Sequence, residues 1–394
     1  MISAIYKKAG VFLSIFLIVI LMAPTVQSIL KICRESTPLY GYTDPLPEKP
    51  KNYVASFFNK SLQEWVEKKF NARLGFHPFL VRSFNELNFR LFREADSTYL
   101  KLMVTKQHGL YSNLSIDCLN DEVMRKQVLE KIYTKQAKQL IKIQNNLAAQ
   151  GKYFAVVIAT SKAYVYPDEL GSRFLVGGST NIFNRKANFG AILKRAGVHV
   201  IDSRPLLNKI AHTLKIETHP TSGVHWNYYS GCLIANKILA NAQTKFPSIT
   251  EINCGPSQRM VPVMNAVDVD GYLLLNIWSH AGLIQETTYP TIEPATHPAT
   301  HWRPNIVFIG DSFSDQIRSA FKEAGIYSRM VMSSYFKQRE VDNPQDIITS
   351  DDDKSIKRKV LADIAASDII ILEMVDYNIS RNLYGFADYY LKHA

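Results

Sequence analysis

Five strand-length, largely apolar runs constrain this chain most: Tyr153 to Thr160, Val198 to Ile201, Ile306 to Ile309, Arg329 to Ser333 and Ile369 to Met374. A strand apolar at nearly every position is covered on both faces, the habit of parallel sheets sandwiched by helices. Helical patterns near 184–196, 229–245, 313–324 and 354–366 fall between the runs, so strands and helices alternate as in βαβ units. The pattern predicts an α/β fold: a doubly wound, flavodoxin-like parallel sheet with helices on both faces. Ligands of such sheets bind at the carboxyl ends of the strands. Thr160-Ser161-Lys162, Asp202, Asp311-Ser312, Ser334-Tyr335 and Glu373 fall there.

Ahead of this body, Lys7 and Lys8 precede an uncharged stretch from Ala9 to Leu30. The stretch is long enough to span a bilayer of about 30 Å, while its apolar core before Pro24 has signal-peptide length and Val26-Gln27-Ser28 is a tolerable cleavage site. We expect an uncleaved signal anchor over residues 1–30, with the lysines inside, although Lys31 and Arg34 on the other flank oppose that orientation. This places the chain in the periplasm, on the inner membrane. Pro38, Pro45, Pro47 and Pro50 mark residues 31–52 as a linker, and 53–394 reads as one domain. Apolar residues recur at helical spacing from Tyr53 to about Arg93, including Phe57, Phe58, Leu62, Trp65, Val66, Phe70, Phe84, Leu87, Leu91 and Phe92, and packing is their expected role. A long amphipathic helix is expected from Asp121 to Gln150, stopped by Gly151.

The 394 residues carry a net charge of +11. Such an excess suits an acidic polymer such as a uronic-acid polysaccharide, an anionic membrane surface, or simple solubility. Nucleic acid is excluded as a partner, because the chain is exported and its Lys and Arg residues are dispersed. The four cysteines, Cys33, Cys118, Cys232 and Cys254, show no CxxC spacing, which argues against zinc and dithiol redox chemistry. A Cys232–Cys254 bridge and free buried thiols are both open. No metal and no cofactor is expected.

Gly310-Asp311-Ser312 follows one of the apolar runs and leads into an amphipathic helix ending at Gly325. A serine there meets unpaired backbone N–H groups and the positive end of the helix dipole, which would stabilise an oxyanion. Serine is also a favoured helix cap. The best base is His225, in Gly223-Val224-His225-Trp226-Asn227. His297 and His301 lie in a Pro- and Thr-rich loop without the motif of a metalloprotease. Asp311 is suited to fixing the turn, and Lys162 either contacts substrate or ends its strand. Tyr335 could complete an oxyanion hole and Arg339 could grip a sugar carboxylate. Asp351-Asp352-Asp353 reads as acidic residues opening a helix.

Taken together, the GDSF turn after a strand, the separate His225-Trp226 dipeptide followed by Asn227, and Ser161-Lys162 followed by Tyr166-Pro167 resemble the alginate O-acetyltransferase family of the AlgJ and AlgX type, with its SGNH-hydrolase-like domain. The resemblance covers residues 53 to 390, has the histidine ahead of the serine (a circular permutation relative to ordinary SGNH esterases), and extends weakly to Asp268–Ile277 and Ile371-Leu372-Glu373. It implies Ser312 as nucleophile and His225 as base, with Trp226 and Asn227 beside Gly310 and Asp311 around the pocket. It further implies acetyl transfer to an exported polysaccharide, with a membrane-bound O-acyltransferase as donor. The family's acid does not carry over: its position is Gly223 here. Asp202 or Asp315 could substitute, a backbone carbonyl could orient His225 in a dyad, or catalysis could be lost, leaving a polysaccharide-binding or assembly subunit. A carbohydrate esterase using the same Ser-His pair is the remaining alternative.

Overall fold

The computed structural model describes residues 2–33, 38–41, 48–94, 102–105, 109–170, 174–175, 188–255, 258–264, 267–279, 282–292, 302–342 and 353–394. The chain divides into two compact units, residues 1–101 with 273–280, and residues 102–272 with 281–394.

The first unit is helical. α1 (Ile2–Leu30) contains Pro24, and its Gly10–Leu30 portion is long and apolar enough to cross a membrane. α2 (Tyr53–Phe58), α3 (Ser61–Arg73) and α4 (His77–Phe92) follow. Asn52 caps α2 by accepting from the amides of Val54 and Ala55, satisfying donors a helix start leaves open. Most of the apolar residues expected to pack do not: Phe57, Phe58, Val66, Phe70, Phe84, Leu87, Leu91 and Phe92 are exposed, while Leu62 and Trp65 are half-buried. Asn85 and Phe89 of α4 are buried instead, with Asn85 Nδ2 donating to Leu275 O at 2.8 Å.

The second unit holds the predicted sheet. A small antiparallel pair, β1 (Leu102–Val104) and β2 (Leu110–Ser112), comes first. Where one long helix was expected the chain makes two, α5 (Asn113–Met124) and α6 (Lys126–Ala149). Arg125 leaves helical geometry between them at φ −112° and ψ 20°. β3 (Tyr153–Ala159), β4 (Val200–Asp202), the antiparallel pair β5 (Gln258–Met260) and β6 (Thr287–Tyr289), β7 (Asn305–Gly310), β8 (Arg329–Ser334), β9 (Glu340–Val341) and β10 (Ile369–Val375) complete the strands. Six of them form one sheet in the order β4-β3-β10-β7-β8-β9, parallel except for the short edge strand β9.

Side-chain alternation along these strands feeds two cores. Tyr153, Ala155, Val157 and Ala159 pack with the helices Tyr228–Ala242 and Ser314–Ala324 on one face. Phe154, Val156 and Ile158 pack with α6 and the helices Phe189–Arg195, Asp353–Ala365 and Phe386–His393 on the other. Cys232 and Cys254 form a disulfide. The last strand in sequence, β10, inserts between β3 and β7, so the carboxyl ends of β3, β10 and β7 are neighbours.

Candidate active site

The turn after β7 is built around two buried acids. Gly310 is required by close approach, since a Cβ there would lie 2.6 Å from Glu373 Oε2 and 2.8 Å from Ser314 Oγ. Glu373, on β10, accepts from the Asp311 amide and the Ser314 hydroxyl, each at 2.9 Å. Burial, reinforced by the charge of Asp311, raises its pKa well above the carboxylate range. Asp311 accepts from the Phe313 amide on one oxygen, and from the Val375 amide, Asn378 Nδ2 and the Tyr384 hydroxyl on the other. Its side chain is therefore consumed in fixing the turn to β10 and the segment beyond it.

Ser312 sits on that turn, two residues before the helix Ser314–Ala324. It does not cap the helix: the N-cap is Phe313, without a side-chain cap bond. Its Oγ lies 2.6 Å from His225 Nε2. Among the described residues no acceptor takes the Ser312 amide N–H, which leaves a donor beside the hydroxyl at the positive end of a helix.

His225 comes from a different segment, the turn Thr221–Asn227. Lys162 buries its ammonium under that turn, donating to the carbonyls of Leu110, Pro220 and Gly223 at 3.0, 2.5 and 2.5 Å. Burial pulls its pKa down to about 8. The Trp226 indole, fully buried, donates to Phe313 O at 3.1 Å and so ties the histidine turn to the serine turn. Asn227 caps the helix Tyr228–Ala242, accepting from the Ser230 amide while its Nδ2 donates to Glu217 O. The His225 ring packs on Phe313 with centroids 4.5 Å apart.

The acid comes from a third segment. Asp270 Oδ2 lies 2.7 Å from His225 Nδ1, and its Oδ1 accepts from the amides of Val224 and Gly271 at 2.9 and 2.8 Å. A carboxylate can only accept here, so Nδ1 carries the proton and Nε2 accepts from the serine hydroxyl. Burial disfavours the imidazolium, but the facing Asp270 carboxylate, with the charges of Asp311 and Asp315, outweighs it and the His225 pKa is raised.

Two glycines let the acid approach. A Cβ on Gly223 would stand 2.9 Å from both Asp268 O and Pro220 Cγ, and one on Gly271 2.8 Å from Ser222 O. The strands of backbone they serve are laced together by Ser222 Oγ to Asp268 O and by the Tyr272 amide to Ser222 O, both 2.8 Å. The position that lacks a carboxylate is thus the one where segment 268–272 closes in and supplies another.

Several expectations are corrected by this geometry. Asp202 does not orient His225: it caps the helix Ser203–Asn208 and pairs with Arg204 at 2.6 Å. Asp315 does not either, being bound to Arg318 at 3.1 Å. Arg339 does not reach for a sugar carboxylate, because buried Asp363 grips it at 2.6 and 3.0 Å. Trp226 and Asn227 hold the turns, whereas Lys162 both holds the histidine turn and lines the neighbouring cavity. Tyr335 remains half-exposed beside the site, its amide donating to Gly310 O at 2.7 Å and its φ at +54°. Asp270 itself went unassigned, although the pair Asp268 and Asp270 ahead of Gly271 was the signal available. His108, His297, His301, Asp351 and Asp352 lie outside the described residues.

The loop that leads into the histidine turn also walls a cavity of about 400 Å³, lined by Tyr111, Tyr166, Lys215, Glu217, His219 and Arg259 among others. Burial raises the Glu217 pKa and pulls that of His219 down to about 3.

A family model described as "SGNH hydrolase-like domain, acetyltransferase AlgX" matches residues 119–324. Among solved structures, the chain is similar to the O-acetyltransferase domain of Pseudomonas putida AlgJ, with 12% identity and a TM-score of 0.41 over 73% of this chain and 98% of that one. It is also similar to Bacillus cereus PatB1, with 12% identity and a TM-score of 0.40 over 72% and 99% of the two chains. For Pseudomonas aeruginosa AlgX the values are 13% and 0.40, over 73% and 66%. Comparison with curated protein sequences gave no match.

Proposed function

The chain belongs to the AlgX family of SGNH hydrolase-like acetyltransferases, and from that premise we propose that it acetylates a polysaccharide through an acetyl-Ser312 intermediate. The observation that carries the reading is the chain of two short contacts, Asp270 to His225 at 2.7 Å and His225 to Ser312 at 2.6 Å. The order acid, imidazole, hydroxyl is that of a serine triad, recognised by geometry and role rather than by sequence position.

In the first half-reaction Ser312 Oγ attacks the acetyl carbonyl while its proton passes to His225 Nε2. The carbonyl oxygen becomes an oxyanion, stabilised by the Ser312 amide at the helix end. Collapse breaks the bond to the donor's leaving oxygen, which takes the proton from His225. In the second, a sugar hydroxyl gives its proton to His225 and attacks the acetyl carbon, and Ser312 leaves with that proton. The Asp270 carboxylate holds the tautomer and balances the transient imidazolium.

The donor is a membrane-bound O-acyltransferase, because acetyl-CoA does not reach an exported site. The acceptor is an exported polysaccharide, for which Lys215, Glu217 and Arg259 in the neighbouring cavity offer groups able to engage hydroxyls or a carboxylate. Retention of α1 in the inner membrane keeps the site on the periplasmic side, near that donor. Asp270 removes the reason for a non-catalytic reading, which rested on the missing acid at 223.

The test is direct. Purified protein incubated with an activated acetyl ester should gain one acetyl group, mapped by mass spectrometry to the Ser312 peptide, and Ser312→Ala should gain none. Acetyl release that stays the same with and without oligosaccharide acceptor would favour the esterase instead. No adduct and no turnover would refute both.

A further inference from the structure

The first unit wears its apolar residues on the outside. In α4 the side turned inward carries Asn85 and Phe89, both fully buried, together with Glu86, which accepts from the Trp278 and Ser279 amides. The opposite stripe, Leu80, Phe84, Leu87 and Leu91, is spaced at the helical repeat and exposed. Val66 and Phe70 on α3 and Phe58 on α2 are exposed too, Phe58 to 81%. A soluble helix turns such a stripe to the core and its polar face to water; here the arrangement is reversed. An apolar patch of this kind marks an interaction surface.

Three observations say what covers it. The patch begins where a bilayer-length helix ends: the Gly75 amide, between α3 and α4, donates to Ser28 Oγ near the end of α1 at 2.6 Å. Gly75 is close enough there that a Cβ would meet Gln27 and the Pro24 carbonyl at 2.6 Å. Second, residues 48–94 contain nine Lys and Arg against five Glu, the charge balance of a segment drawn to anionic lipid. Third, the two tryptophans of the unit are half-exposed amphipathic rings with a cation over each, Lys69 at 4.4 Å from Trp65 and Arg82 at 5.5 Å from Trp278. Trp beside Lys or Arg is the side-chain pairing of the membrane–water interface.

We propose that α2, α3 and α4 form an amphipathic collar around the end of α1, seated in the headgroup layer of an anionic membrane with its apolar stripe among the acyl chains. The proposal rests on the reading that α1 remains in the membrane. It gives the helical unit a second attachment to the bilayer besides the spanning helix.

Site-directed spin labelling tests it on the full chain in vesicles of phosphatidylcholine and phosphatidylglycerol. Labels are placed at Phe84→Cys, Leu87→Cys, Glu64→Cys and Leu17→Cys in a Cys33→Ser, Cys118→Ser background. Collisions with oxygen report acyl chains and collisions with a water-soluble nickel chelate report water. The Phe84 and Leu87 labels should favour oxygen, the Glu64 label, on the other face of α3, should favour nickel, and the Leu17 label should lie deepest. A Leu87 label open to nickel while Leu17 stays in hydrocarbon overturns the collar and leaves the anchor standing. A Leu17 label in water refutes the anchor on which the collar rests and so overturns the proposal together with that reading. A Leu87 label shielded from both reagents means that protein covers the stripe, and also overturns the proposal.

Discussion

Replacing Asp270 by Asn isolates the acid's role, because the change keeps shape while reversing one hydrogen bond. The amide oxygen can still accept from the Val224 and Gly271 amides, as Oδ1 does now at 2.9 and 2.8 Å. The NH₂ group then faces His225 Nδ1, where Oδ2 accepts at 2.7 Å. A donor in that place makes Nδ1 the acceptor and moves the ring proton to Nε2, which faces Ser312 and can no longer take its proton. The cost of such a wrong tautomer is on the order of 10⁴-fold in rate, or about 5 kcal/mol of transition-state stabilisation. Asp270→Asn should therefore acetylate Ser312 about four orders of magnitude more slowly while melting close to the parent. Asp270→Ala, which also abandons two backbone amides, should lose about 1–3 kcal/mol of stability besides. The parent should lose activity on acidification, since the base must be neutral and its raised pKa puts the midpoint above that of a free histidine. Stopped-flow release from p-nitrophenyl acetate, followed across pH, measures both effects. Asp270→Asn within tenfold of the parent would refute the reasoning, as would Asp202→Asn or Asp315→Asn producing the larger loss.

Other substitutions probe the scaffold of the site. Glu373→Gln should be tolerated within about 1 kcal/mol, because burial favours the neutral acid and Gln can accept from the same two donors; thermal melting checks this, and Glu373→Ala should be far worse. Gly223→Ala should cost about 1–3 kcal/mol through overpacking against Asp268 O and Pro220 Cγ, and Gly223→Asp should not raise activity, as read from melting and ester turnover together. Cys232→Ser should destabilise by about 3 kcal/mol, the loop-entropy scale for a bridge spanning 22 residues, and reductant should lower the parent's melting temperature but not the variant's.

The sheet was legible because its strands are apolar on both faces, a pattern that short helices do not sustain over five separate runs. The turn carrying Ser312 was legible for a related reason, as a small polar tripeptide between a buried strand and an amphipathic helix. Asp270 was not. It belongs to no strand end of the main sheet, and what makes it an acid for His225 is the closeness of segments 222–224 and 268–272, which depends on the absence of two β-carbons. Arg339 and Asp202 failed for the opposite reason: their positions suited a cleft, but their charges are spent on Asp363 and Arg204. The apolar spacing of α2 to α4 correctly signalled helices and misled on burial, since periodicity reports a face and not what the face meets.

The three groups of the site come from three stretches of chain, at 225, 270 and 312, and neither glycine contact nor indole-to-carbonyl tie exists until those stretches are in register. Secondary structure alone assembles none of it. A compact but loosely packed state, with its helices and strands in place, would leave the imidazole unaligned and the hydroxyl inert. Capture of Ser312 by a serine-directed phosphonate or sulfonyl reagent would then act as a clock for completed tertiary packing, timing the last step of refolding, which circular dichroism in the far ultraviolet cannot resolve.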